Sequence, residues 1–215
     1  MQLPFTIEQF LGVFEKFNLA IWPLHLIVYL LAIISVALVF KPFQHSNRII
    51  TVILAFFWLF MGVGYHWMFF SVINKAAYIF GFLFILQGVL FLVFGPKLRF
   101  EFQPNLSSVF GLVLIVYAML GYSLLGYYLG HTYPHAPVFG VAPCPTTIFT
   151  FGLLLLTSGK MPKFLIATPF IWSIIGFFAA LSLGIREDIS LIIVGVSGSI
   201  MLVLRNNRQL QKEKE

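Results

Sequence analysis

At 215 residues, with 60% hydrophobic side chains, 9% charged side chains and 26 phenylalanines, the chain is too apolar for an ordinary soluble domain. Its formal net charge of +6 calls for no nucleic acid, because cytoplasmic loops facing anionic lipid account for it. The single cysteine excludes an intrachain disulfide and any multi-cysteine metal or iron–sulfur cage.

These features predict an all-α integral membrane protein, with the lipid bilayer as first partner and residues 1–215 as a single membrane domain. A span needs about 20 apolar residues to cross about 30 Å of hydrocarbon, so the length allows six or seven. The opening MQLPFTIEQFLGVFEKFN lacks a basic n-region and a cleavage site, so no removable signal peptide is expected. Thr6 followed by Gln9 forms a capping-box pattern. Phe10, Phe14 and Phe17 recur at helical spacing opposite Glu8 and Glu15, predicting an amphipathic interfacial helix over 1–18.

Seven spans are then predicted within 19–204: Leu19 to Phe40, Ile49 to Phe70, Ala76 to Gly95, Ser107 to Gly130, Pro145 to Gly159, Phe164 to Gly184 and Ser190 to Leu204. Pro23 near the start of the first is tolerated there. The polar stretch 205–215 reads as a cytoplasmic tail fraying into solvent. Seven crossings place Lys41, Arg48, Lys97, Arg99, Lys160, Lys163, Arg205, Arg208, Lys212 and Lys214 on one side and Lys16, Lys75 and Arg186 on the other. The positive-inside rule then puts the N-terminus outside and the C-terminus in the cytoplasm. No Asp, Glu, Lys or Arg falls inside the seven predicted spans, which speaks against ion-driven transport. The last span also lacks the lysine a retinal Schiff base needs.

This topology assigns His25, His66, His131, His135 and Cys144 to the outer side, leaving only His45 cytoplasmic. Imidazole and thiolate suit transition metals and haem, so a metal site drawn from His25, His66, His131 and His135 is one expectation, with haem or a transition metal as its cofactor. The bland alternative is interfacial placement, since Trp, Tyr and His have one apolar and one wet end. His25 and His66 lie deeper, with Tyr29 a turn below His25 and Trp58, Gly62 and Tyr65 on the face of His66. They read either as interhelical hydrogen bonds or as a shared ligand or proton-relay pocket on neighbouring spans. Gln87 and Asn74 could face the same cavity or simply bond between helices.

The stretch HTYPHAPVFGVAPCPTT, His131 to Thr147, is the long polar interruption of the chain. Cys144 is predicted at an N-cap with Pro145 at the first helical position. Pro145 to Ser158 is about 21 Å of helix, short of the hydrocarbon, so VFGVAP should dip into the protein as non-helical backbone. A helix N-terminus in a wet cavity would attract anions and activate the thiol; otherwise Cys144 is a small buried hydrophobe. Thr146 and Thr147 are caps or ligand contacts.

LPFTIEQF, GYHWMFF, INKAAYIFGFLFILQG and FGVAPCPTTIFTFGLLLL together resemble a family of bacterial multi-pass membrane proteins known as domain of unknown function 6064. The resemblance implies a bacterial inner-membrane location and carries over no activity or site residue. Three functions are consistent with the residues. One is the binding or passage of a small ligand, metal or haem at an outer cavity bounded by His25, Tyr29, Tyr65, His66, Asn74, Cys144, Thr146 and Thr147. The second is an accessory subunit with membrane-protein partners, or a homo-oligomer. The third is an enzyme using the thiol of Cys144.

Overall fold

The computed structural model describes residues 4–212, with side-chain environments through 207. Within them the chain forms eight helices: α1 (Ile7–Ile21), α2 (Leu24–Phe40), α3 (Ser46–Val72), α4 (Ala77–Phe94), α5 (Leu106–Tyr128), α6 (Pro143–Leu155), α7 (Phe164–Leu183) and α8 (Ser190–Lys212). Two-residue strands β1 (Arg99–Phe100) and β2 (Thr157–Ser158) pair antiparallel. Five helices are long and apolar enough to cross a membrane, or six if α1 and α2, which meet at 85°, count as one broken span. Two expected spans fall short: α2 has 17 residues and α6 has 13.

The capping box starts α1 as the sequence predicts, with the Thr6 hydroxyl accepting from the Gln9 amide and the Gln9 side chain accepting from the Thr6 amide. Its aromatic stripe, however, is packed into protein. Phe14 stacks on Tyr65 at a centroid distance of 5.0 Å, and Phe17 meets Phe60, Tyr65 and Phe69. A stripe that reads as lipid-facing thus docks on α3, because α3 offers a matching row of rings.

The helix ends sort into two clusters. At one end β1 meets β2, Asn47 accepts from the Phe100 amide, and the Val39 carbonyl accepts from the Phe102 amide. Arg205 and Asn206 of α8 reach the same place, bonding Thr157 and Met161. The polar stretch expected to fray therefore continues α8 to Lys212, with Asn206 buried; residues 213–215 lie outside the described part. At the other end Asn18 holds the carbonyls of Pro134 and Ala136, and Trp67 donates to the Tyr78 carbonyl. Trp22, Tyr78, Tyr127, Tyr128 and Tyr133 are exposed.

α6 runs through the middle. Twelve of its 13 residues are buried, and Cys144 is half-buried. At its closest approach to α5, a Cβ on Gly152 would lie 2.8 Å from the Gly111 carbonyl and one on Gly111 would lie 2.7 Å from the Gly152 carbonyl. Small residues are what allow two backbones so near. The non-helical approach, Phe139 to Ala142, is buried as the sequence anticipates. Its backbone polarity is met locally: Gly140 donates to Thr146 Oγ1 at 2.9 Å, and Thr146 donates to the Ala142 carbonyl at 2.8 Å.

Candidate functional site

Two helices that end at the His131 side of the bundle are irregular there. α3 becomes π-helical over Met61–Phe69 and α5 over Tyr117–Gly121. Such stretches rotate side chains out of α-register and recur at functional sites. Here they supply Tyr65 and His66 from α3 and Tyr117, followed by Tyr122, from α5.

The turn joining α7 to α8 faces them. Gly184, in the left-handed region at φ 74°, ends α7, and a 3-10 turn over Arg186–Ile189 leads into α8. The turn folds inward, so that Glu187 and Asp188 are 1% and 4% exposed. This corrects the expectation that no Asp, Glu, Lys or Arg lies within a span, since both acids lie inside the apolar segment Arg186–Asn207. Their partners are specific. His131 Nδ1 is 2.6 Å from Glu187 Oε1, Tyr122 donates to Asp188 Oδ1, and the thiol of Cys144 faces the same Asp188 carboxyl. Tyr117 and Ser190 donate to the Glu187 carbonyl at 3.4 and 2.8 Å.

Behind Cys144 the cluster continues into a group of packed aromatic rings. A methyl placed on Gly176 would lie 3.8 Å from Cys144 Sγ and 3.7 Å from Trp172 Nε1, so thiol and indole line the same spot on α7. The Trp172 ring lies 5.1 Å from that of His66, and Phe80 and Phe84 close the wall. Trp172 Nε1 and both His66 nitrogens have no nitrogen or oxygen partner among the described residues, and Glu187 Oε2 has none either. Buried polar atoms without partners are costly, each worth about 1–3 kcal/mol.

The other residues singled out from sequence go elsewhere. His25 is bonded through Nε2 to Asn18 at 3.2 Å and packs beside Trp22 and Tyr133, and its ring makes no contact with that of His66. His135 sits 3.3 Å from Glu15 on an exposed surface. The four histidines expected on the outer side thus have four separate environments, and among the described residues no three of His, Cys, Asp and Glu come together to hold a metal ion. Tyr29 donates to the Met119 carbonyl and lines an open groove with Ser123, Tyr127 and Tyr128, apart from the cluster. Asn74 closes a turn on the Ala76 amide, and Gln87 bonds the Leu165 carbonyl of α7. Thr146 and Thr147 spend their hydroxyls on the carbonyls of Ala142 and Pro143. Cys144 is the second residue of α6 and not its N-cap: Ala142 caps and Pro143 takes the first position, because the extended backbone already ends there.

Of the cluster, sequence reasoning found Tyr65, His66, His131 and Cys144 and missed Glu187, Asp188, Tyr122 and Trp172. One signal was present: Asp188 is the single aspartate of the chain, beside a glutamate in a turn of only a few residues between two apolar runs.

The chain belongs to a family described as a family of unknown function (DUF6064), whose model matches residues 7–214. No curated protein and no solved structure matches it.

Proposed function

We propose that this is a multi-pass protein of the bacterial inner membrane that binds, or passes inward, a small polar ligand at its outer end. The ligand would occupy the space between Cys144, Trp172, His66 and Asp188. The observation that carries the reading is that both buried nitrogens of His66 are without partners beside the indole of Trp172 and Cys144, the one half-buried residue of α6. Glue between helices would pair these atoms with each other or with backbone; a ligand site leaves them for a guest.

The outward assignment follows from charge. Loops after α2, α4, α6 and α8 gather the lysines and arginines at the β1–β2 end, and seven traversals, α2 to α8, put the sparsely basic end outside. Exposed Trp22, Tyr78, Tyr127, Tyr128 and Tyr133 suit the outer interface. The short α6 is tolerated at membrane depth because protein surrounds it.

The test is thiol accessibility in the folded protein. Methyl methanethiosulfonate should label Cys144 in membranes without denaturant, and a bulky maleimide should not. Protection from both reagents until unfolding would remove the site and with it this function.

A further inference from the structure

We infer that Glu187 and Asp188 form a proton-exchange site filled from the outer solution through His131. This rests on the proposed ligand site only for what the proton is used for; the exchange itself stands on the geometry of the turn.

Every titratable or charged group facing the two acids can be named. From α5 come the phenols of Tyr117 and Tyr122, from α6 the thiol of Cys144, and from α3 the phenol of Tyr65 with His66 beyond it. α7 contributes only the indole of Trp172, and the loop after α5 contributes His131. On the turn itself Arg186 is exposed and makes no ion pair among the described residues. Among the described residues the two buried acids therefore face a single group able to carry positive charge. Burying a carboxylate without a counter-charge costs several kcal/mol in the effective medium of a protein interior. His131 can balance one carboxylate, so electroneutrality keeps one further proton on the acid pair.

That proton has a route. The His131 side chain is 14% exposed while that of Glu187 is fully buried, so the imidazole bridges the outside and the pair across a 2.6 Å contact. The step balances simply. At rest His131 is an imidazolium, holding a proton taken from outer water at Nε2 and another on Nδ1; passing the Nδ1 proton to Glu187 Oε1 leaves a neutral imidazole and a neutral carboxyl. Rotation of the carboxyl carries that proton to the side of Oε2, buried and without a partner, from which it refills Asp188 once Asp188 has passed its own proton on. Asp188 in turn faces Cys144 beside the aromatic group.

Because Asp188 is the chain's only aspartate, it can be observed without mutation. Full-length protein labelled with carboxyl-¹³C aspartate in lipid nanodiscs, free of added ligand, would be followed by infrared spectroscopy through a pH titration and a pH jump. A protonated carboxyl C=O band in the wild type, part of which moves on labelling and all of which responds to outer pH, is the expected result. His131→Gln should retain the band and slow its response to the jump, while Glu187→Gln should lose the unlabelled component and Glu187→Asp should restore a band. The amide I band and thermal unfolding report whether each variant is folded. Absence of any protonated band in the wild type, or a His131→Gln response as fast as wild type, overturns the inference. Loss of Cys144 labelling with the infrared behaviour intact would overturn the ligand site alone.

Discussion

Gly140 offers a sharp test of how the loop between α5 and α6 positions Cys144. Its φ of +80° lies where a side chain is strained, and a Cβ there would come within 1.8 Å of Val28 Cγ1, which is fully buried on α2. In Gly140→Ala the left-handed conformation costs about 1–2 kcal/mol. Displacing Val28 in a packed interior adds about 1–3 kcal/mol. The total, about 2–5 kcal/mol, is large against the marginal stability of most folds. Val28→Ala removes the collision and leaves the backbone strain. The double variant should therefore be less destabilised than the sum of the singles by about 1–3 kcal/mol. The measurement is equilibrium unfolding in mixed micelles by tryptophan fluorescence, with Cys144 labelling rate as a second readout. A Gly140→Ala protein as stable as wild type, or strict additivity in the cycle, would refute the claim that α2 clamps the loop through this glycine.

Three further outcomes are expected. Arg205→Leu should destabilise by about 1–3 kcal/mol, because it strips the Thr157 carbonyl of a buried donor, and Arg205→Lys should recover only part of that in the same unfolding assay. Asn18→Leu frees the carbonyls of Pro134 and Ala136 together with His25, so limited proteolysis should cut near residue 135 faster than in the wild type; an unchanged rate would mean the loop is held by other contacts. Trp58→Phe and Thr150→Val remove one buried hydrogen bond between α3 and α6, and their cycle should show coupling of about 0.6 kcal/mol, as measured for other membrane pairs.

What was legible in the chain follows from whether the signal is local. The Thr6–Gln9 capping box, the apolar runs and the dip of VFGVAP before a short helix each depend on neighbours in sequence, and each is found. The environment of the acids depends on tertiary contacts 56 to 66 residues away. In sequence Glu187 and Asp188 read as a solvated turn, and only the inward fold of Arg186–Ile189 onto His131 and Tyr122 shows otherwise. His66 was recognised as buried on the face of Trp58 and Tyr65, but Phe84 and Trp172 stand beside it where His25 was expected. The π-helical stretch of α3 alters which face each residue takes, and periodic reasoning at 3.6 residues per turn cannot register it.

The burial of α6 also constrains how the protein is made. Synthesis runs from the N-terminus, so α6 leaves the ribosome before α7 and α8 exist. At 13 residues it is about 20 Å long, too short to stay in a bilayer as an independent span. The carbonyls of Leu155, its last residue, and of Thr157 just beyond it receive the Arg205 guanidinium, which lies 48 residues past Thr157. Until the later helices are made, α6 and its extended lead-in have only α5 and the earlier helices as shelter from lipid. Insertion of the central helix is therefore completed by the last one, and a chain stopped before α8 should expose an unfinished segment to membrane quality control.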